Sequence, residues 1–137
     1  ADTLVGWGGV VLTVESSLER HVAAKRALAR WPQVRCLHGD CLNDPRTIRH
    51  LRDVLGTTFR MLYCDNGNKP LEIATYAHHL GPRALLGCHD YGDEVNPETT
   101  EPYLAELGFA PYRHRDFESL AHPTDYPVSL TRFWTRP

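Results

Sequence analysis

Residues 59–91 read FRMLYCDNGNKPLEIATYAHHLGPRALLGCHDY. An apolar run, Phe59 to Cys64, ends in an acid, Asp65. A helical period follows from about Pro70 to Leu80, with Ile73, Ala77 and Leu80 on one face and Gly81 as its stop. A second apolar run, Arg83 to Cys88, leads to another acid, Asp90. Strand, helix and strand in one short stretch predict a right-handed crossover and a parallel pair. Both acids then sit at carboxyl ends of strands, the edge where open α/β sheets bind ligands. If the two strands are neighbours, their carboxylates converge across ~5 Å. Carboxylates that close repel unless a cation or a shared proton holds them. A hard divalent ion such as Mg²⁺, bound by Asp65, Asp90 and an amide oxygen from Asn66, suits such donors better than zinc.

The same alternation extends outwards in both directions. Gly9 to Val14 reads as a strand, and Ser16 with Glu19 three residues on reads as a capping box. The helix it opens runs to about Trp31, with Ala24, Ala27, Leu28 and Trp31 in register. Val34 to His38 is the next strand. Asp44-Pro45 opens a helix whose stripe is Ile48, Leu51 and Leu55, stopped by Gly56. Asn96-Pro97 caps a fourth helix that ends at Gly108. Phe109 to Arg115 and Val128 to Thr135 read as strands joined by a Pro-rich loop, and so as a terminal antiparallel hairpin. The expected fold is α/β: one Rossmann-like domain over residues 1–137, with a mostly parallel sheet, helices on both faces and a C-terminal hairpin. Glu15, Asp40, Asp65 and Asp90 follow one another at intervals of 25 residues. Four successive strand–helix units therefore each place a carboxylate at a strand end. Glu15 there suits a ribose diol, and Asp40 an adenine amino group.

Composition narrows the class. The chain has 137 residues and a formal net charge of -2, with three Trp and six Tyr. Such a chain can bury a core, so disorder is excluded. No apolar run approaches the ~18 residues of a membrane span. Scattered basic residues and a near-neutral charge exclude a polybasic nucleic-acid arm. Cys36, Cys41, Cys64 and Cys88 read as small buried hydrophobes in a reduced cytoplasm, not as a disulfide framework.

Val14-Glu15-Ser16-Ser17, His38-Gly39-Asp40, Cys64-Asp65-Asn66-Gly67-Asn68-Lys69 and Cys88-His89-Asp90-Tyr91 resemble successive strand ends of class I S-adenosylmethionine (SAM)-dependent methyltransferases. The nearest likeness is to the metal-dependent small-molecule O-methyltransferases around the macrocin O-methyltransferases and cephalosporin-hydroxylase-like proteins, over residues 9–137. The terminal hairpin agrees with that fold. The resemblance implies a cofactor side of Glu15 with Ser16 at the ribose, Asp40 with Cys41 at the adenine, and Asp65. It implies Mg²⁺ or a similar ion on Asp65, Asp90 and Asn66, with Lys69 or His89 as general base. The substrate it implies is a small hydroxylated metabolite. A homo-oligomer is compatible with it. The family's glycine-rich loop has no counterpart here, because Gly6-Trp7-Gly8-Gly9 precedes the Glu15 strand and reads as a turn. The expectation is that an opening strand and its loop lie upstream. Two other readings stand beside this one: a non-catalytic Rossmann-like interaction module, and an NAD-dependent oxidoreductase using Glu15 at the ribose.

Lesser features have simpler expectations. Cys36-Leu37-His38-Gly39-Asp40-Cys41 is a weak zinc half-site. His78-His79 reads as a solvated helix end, and Arg113, His114 and Arg115 as surface. Trp7, Trp31, Trp134 and Tyr103 read as packing. Tyr91 and Tyr126 are candidates to line an acceptor pocket, with specificity in the 93–98 and 118–127 loops.

Overall fold

The computed structural model describes residues 9–57, 60–112 and 130–137. Trp7, Arg113, His114, Arg115, Tyr126, the 118–127 loop and the Gly6–Gly8 turn lie outside these residues. The chain divides into two compact units, Ala1–His50 and Leu51–Pro137.

In the first unit β1 (Val11–Glu15) pairs in parallel with β2 (Val34–His38), from Val11 opposite Val34 to Glu15 opposite His38. The helix between them, α1, covers Leu18–Leu28. Its cap is Ser17, one residue later than the sequence suggests: the Ser17 hydroxyl accepts the Arg20 N–H at 3.3 Å. The shift has a local cause. The Glu15 carboxylate accepts the Ser17 N–H at 2.8 Å, which holds Ser17 extended outside the helix. No residue of α1 is fully buried, and β1 is half-buried along its length. α2 (Pro45–Thr57) begins as expected after Asp44, whose carboxylate accepts the Arg46 N–H and the Thr47 hydroxyl. It runs through Gly56 instead of stopping there.

The second unit holds β3 (Met61–Cys64), α3 (Lys69–Tyr76), β4 (Leu85–Tyr91), α4 (Pro97–Glu106), β5 (Ala110–Pro111) and β6 (Leu130–Thr135). Its sheet order is β3-β4-β6-β5. β3 and β4 are parallel, as the opening stretch predicts, while β6 runs antiparallel to both β4 and β5. The expected single, mostly parallel sheet is thus corrected: among the described residues it is a two-stranded parallel sheet and a four-stranded mixed one. The mixed character of the second comes from β6, which inserts antiparallel beside β4. The expected antiparallel terminal pair is present, although β5 is short, with Tyr112 N–H to Phe133 C=O extending it.

Side chains explain the core of this unit. Cys64, Leu86, Cys88 and Trp134 from the strands, and Ile73, Tyr76 and Leu104 from the helices, are fully buried. Each large apolar side chain so placed contributes about 1.5–3 kcal/mol. Gly87 lies where β4 meets Phe133: a Cβ there would come within 2.5 Å of the Phe133 ring and 2.9 Å of Tyr63. α3 breaks at Tyr76 into a 3-10 turn over Ala77–His79, four residues short of the expected end. α4 is stopped after Glu106 by Gly108, at φ 83°; Gly108 N–H bonds to Ala105 C=O and Phe109 N–H to Leu104 C=O, a Schellman stop. No helix among the described residues is long and apolar enough to cross a membrane.

Candidate functional site

The four strand-end acids fall two to a unit. In the first unit both are engaged by their own loops. Glu15 takes the Ser17 N–H. Asp40 Oδ1 accepts the N–H of Leu42 and Asn43 at 2.8 and 2.9 Å, and its Oδ2 accepts the Asn43 amide at 3.0 Å. The Asn43 side chain, then the two backbone N–H groups, hold the Asp40 carboxyl below its ordinary value. That is the signature of a turn-building aspartate, and Cys41 sits half-buried inside the turn. Ser16 contributes its carbonyl, 3.1 Å from His38 Nε2. Among the described residues no three-ligand group gathers at Cys36, His38 and Cys41.

The second unit assembles a real cluster. Asp65 is the first residue after β3, and the loop behind it is built by asparagines. Asn66 Oδ1 accepts the Asn68 N–H at 2.6 Å, and Asn68 Oδ1 caps α3 by accepting the Leu71 N–H. The oxygen expected from Asn66 as a metal ligand is therefore used in turning the loop. On the neighbouring strand the pairing slips between Cys88 and Tyr91, and Asp90 adopts φ 56°. The Asp90 carbonyl accepts N–H groups from Asp93, Glu94 and Val95, which closes a tight turn and returns Glu94 towards the strand end.

Lys69, the first residue of α3, points into this space. Its Nζ is 2.7 Å from Glu94 Oε2, 2.9 Å from Asp90 Oδ2 and 4.0 Å from Asp65 Oδ1. His89 Nδ1 is 2.9 Å from Asp90 Oδ1 and 3.7 Å from Asp65 Oδ1. Asp65, His89 and Asp90 each offer one ligand atom, all within 4.8 Å of one another. The Lys69 side chain is 4% exposed and that of Asp65 59%, so a buried ammonium lies beneath an open rim.

Burial favours a neutral Lys69, but the Glu94 and Asp90 carboxylates outweigh it and hold the amine well above its ordinary range. A lysine so held is a cation at neutral pH. The general-base role that the resemblance gives Lys69 does not fit this arrangement.

No protein-family model matches the chain, and no curated protein matches it.

Three residues the sequence reading passed over belong to this neighbourhood. Glu94 is the closest partner of Lys69. Glu72 is buried in α3 with Lys69, Ile73 and Tyr76, and its Oε2 has no partner among the described residues. Burial pushes its carboxyl up to about 7; the Asn66 N–H opposes this, Asp65 adds to it and Lys69 opposes it. The signal was available: Lys69, Glu72, Ile73 and Tyr76 stand at i, i+3, i+4 and i+7, so two charges occupy an apolar stripe. Glu101 is the third. It accepts the Tyr91 hydroxyl at 2.6 Å and the Trp134 indole N–H at 3.1 Å. Tyr91, expected at an acceptor pocket, instead has its hydroxyl on Glu101 and its ring edge-on to Trp134.

Proposed function

We propose that this chain carries the cofactor and acceptor sites of a Rossmann-like, SAM-dependent O-methyltransferase that uses a divalent ion and acts on a small hydroxylated metabolite. The observation that carries the reading is the Asp65–His89–Asp90 group at the end of the parallel β3–β4 pair. The resemblance of the four strand-end motifs supports it, and so does the antiparallel ending of the sheet. Two carboxylates and one imidazole are a donor set suited to Mg²⁺ or Mn²⁺. When bound, such an ion would lower the pKa of a coordinated substrate hydroxyl towards neutrality.

The chain's own residues supply the rest. Asp65 and Asp90 would hold the ion, and His89 would ligate through Nδ1 or take the hydroxyl proton. Asp90 Oδ1, 2.9 Å from that nitrogen, orients the ring. Lys69 stays charged and fixes Asp90 and Glu94. Glu15, with Ser16 beside it, is the candidate for the cofactor ribose, and Asp40 with Cys41 for its adenine. Attack on the sulfonium methyl then depends chiefly on positioning. Four cysteines without a disulfide suit a reducing compartment, the cytoplasm.

Isothermal titration with SAM, with and without Mg²⁺, tests the reading. Micromolar SAM binding that needs Glu15, together with ion binding lost in Asp65→Asn and Asp90→Asn, is expected. SAM binding that is absent at millimolar concentration would refute it.

A second reading has its own observation. Lys69 already pairs with Asp90 and Glu94, so the cluster also makes sense as a structural ion pair in a non-catalytic interaction module. Under that reading neither SAM nor ion binds, and Lys69→Met changes only the melting temperature.

A further inference from the structure

The strand-end cluster already contains a cation, and its two ends are chemically distinct. Asp90 Oδ2 faces the Lys69 ammonium, whereas Asp90 Oδ1 faces His89 together with Asp65 Oδ1. A divalent ion on the His89 side would sit close to a buried ammonium, and two positive charges at that range repel. A group that takes up part of the Lys69 charge would therefore favour the ion. We propose that Glu94 is a latch for Lys69: by sharing an ammonium that would otherwise rest on Asp90 alone, it sets the affinity of Asp65, His89 and Asp90 for a divalent ion.

Three observations carry this. Nζ lies within hydrogen-bond distance of both Glu94 and Asp90, at 2.7 and 2.9 Å, and Asp65 is further at 4.0 Å. An ammonium has three donors, so Nζ serves Glu94 and Asp90 at the same time and divides its charge between them. Glu94 is also no casual surface acid. Its N–H bonds to the Asp90 carbonyl, and Gly92, with φ 90°, donates its N–H to the Val95 carbonyl within the same turn. The latch is thus tied to the backbone of the residue it regulates. Three carboxylates, Asp65, Asp90 and Glu94, face one ammonium, a formal surplus of two negative charges that suits a divalent ion.

The inference rests on the metal-assisted reading above, and a double-mutant cycle tests it separately. Mn²⁺ affinity is measured by titration for the wild-type protein, Lys69→Met, Glu94→Gln and the double variant. Lys69→Met is expected to tighten Mn²⁺ roughly ten-fold, and Glu94→Gln to weaken it roughly five- to ten-fold, the size of an ordinary coupling between sites. In the Lys69→Met background the Glu94→Gln effect should shrink to about two-fold or less, since no ammonium is left to direct. If Glu94→Gln weakens Mn²⁺ by the same factor in both backgrounds, Glu94 acts by its charge alone and the latch is wrong. Lys69→Met weakening Mn²⁺ overturns it equally.

Should Lys69→Met not fold, the wild-type protein still answers. Its two lysines, Lys25 and Lys69, make the Lys69 Nζ resonance assignable. That resonance should move on Mg²⁺ titration in the wild type; no movement at saturation overturns the proposal. Absence of ion binding by every variant also ends it, while SAM binding remains an independent measure of the proposed function.

Discussion

Glu72 offers the sharpest quantitative test, because its burial converts directly into a pH dependence. Its carboxyl moves from an ordinary 4.5 up to about 7, and burial is the largest cause. In the unfolded chain Glu72 loses its proton near the ordinary value; in the folded chain it keeps that proton until about 7. The stability tied to the protonated form is therefore fully present below about pH 4.5 and is lost as the pH rises through 7. A shift of that size corresponds to about 3 kcal/mol between the two limits. Glu72→Gln imitates the protonated state at every pH, since an amide is isosteric with the acid and keeps an oxygen to accept a hydrogen bond. Chemical denaturation from pH 4.5 to 8.5 should give equal stabilities at the acid end. The glutamine variant should become progressively more stable, by about 2–3 kcal/mol at the alkaline end. Because other groups titrate over this range, the difference between variant and wild type is the quantity to plot. A difference that stays constant across the range would refute the reasoning, even if the variant were more stable throughout.

Two further perturbations probe the frame around the site. Glu101→Ala leaves the Tyr91 hydroxyl and the fully buried Trp134 indole N–H without their acceptor, so thermal or urea unfolding should show a loss of about 2–4 kcal/mol. In Glu101→Gln the Tyr91 phenol, now pushed up to about 12 by burial and then by Glu101, should titrate at lower pH in an ultraviolet absorbance titration. Gly87→Ala should cost about 1–3 kcal/mol by driving a methyl into the Phe133 and Tyr63 rings, and an unchanged melting temperature would contradict the packing described.

Much of the second unit was legible in residues 59–91. Two apolar runs separated by a helical period located β3, α3 and β4, and the parallel pairing followed from the crossover. The convergence of Asp65 and Asp90 was legible for the same reason. What escaped the sequence were events that depend on neighbours. Ser16 reads as the cap because Glu19 stands three residues on, and Ser17 takes that place only because Glu15 holds the Ser17 N–H. Asp40 reads as an acceptor for an adenine amino group, and only the fold shows that its own Asn43 closes on it. The base role of Lys69 assumed a vacant, metal-polarised surrounding, and the turn that brings back Glu94 has no periodic signal. Glu72 was hidden because an acid four residues into a helix is usually solvated, although its place on the buried stripe marked it.

The backbone at Asp90 ties these points together. A regular parallel strand would project Cys88 and Asp90 to the same face of the sheet. Cys88 does go into the core, where it is fully buried, yet Asp90 turns its carboxylate to Lys69 and His89 at the strand's end. The slip in pairing and the left-handed φ of 56° separate the two side chains. A non-glycine residue in that region costs roughly 1–2 kcal/mol, less for aspartate, which tolerates it best. Three N–H groups donated to the Asp90 carbonyl offset that strain, and one of them belongs to Glu94. A single irregularity therefore re-aims one acid, positions a second beside it and leaves both within 3 Å of the same ammonium. An acid needed only to cap a loop, as Asp40 is, requires none of this. That contrast is the physical ground for centring the proposed ion site on Asp90, while the Asp40 carboxylate also builds its own turn.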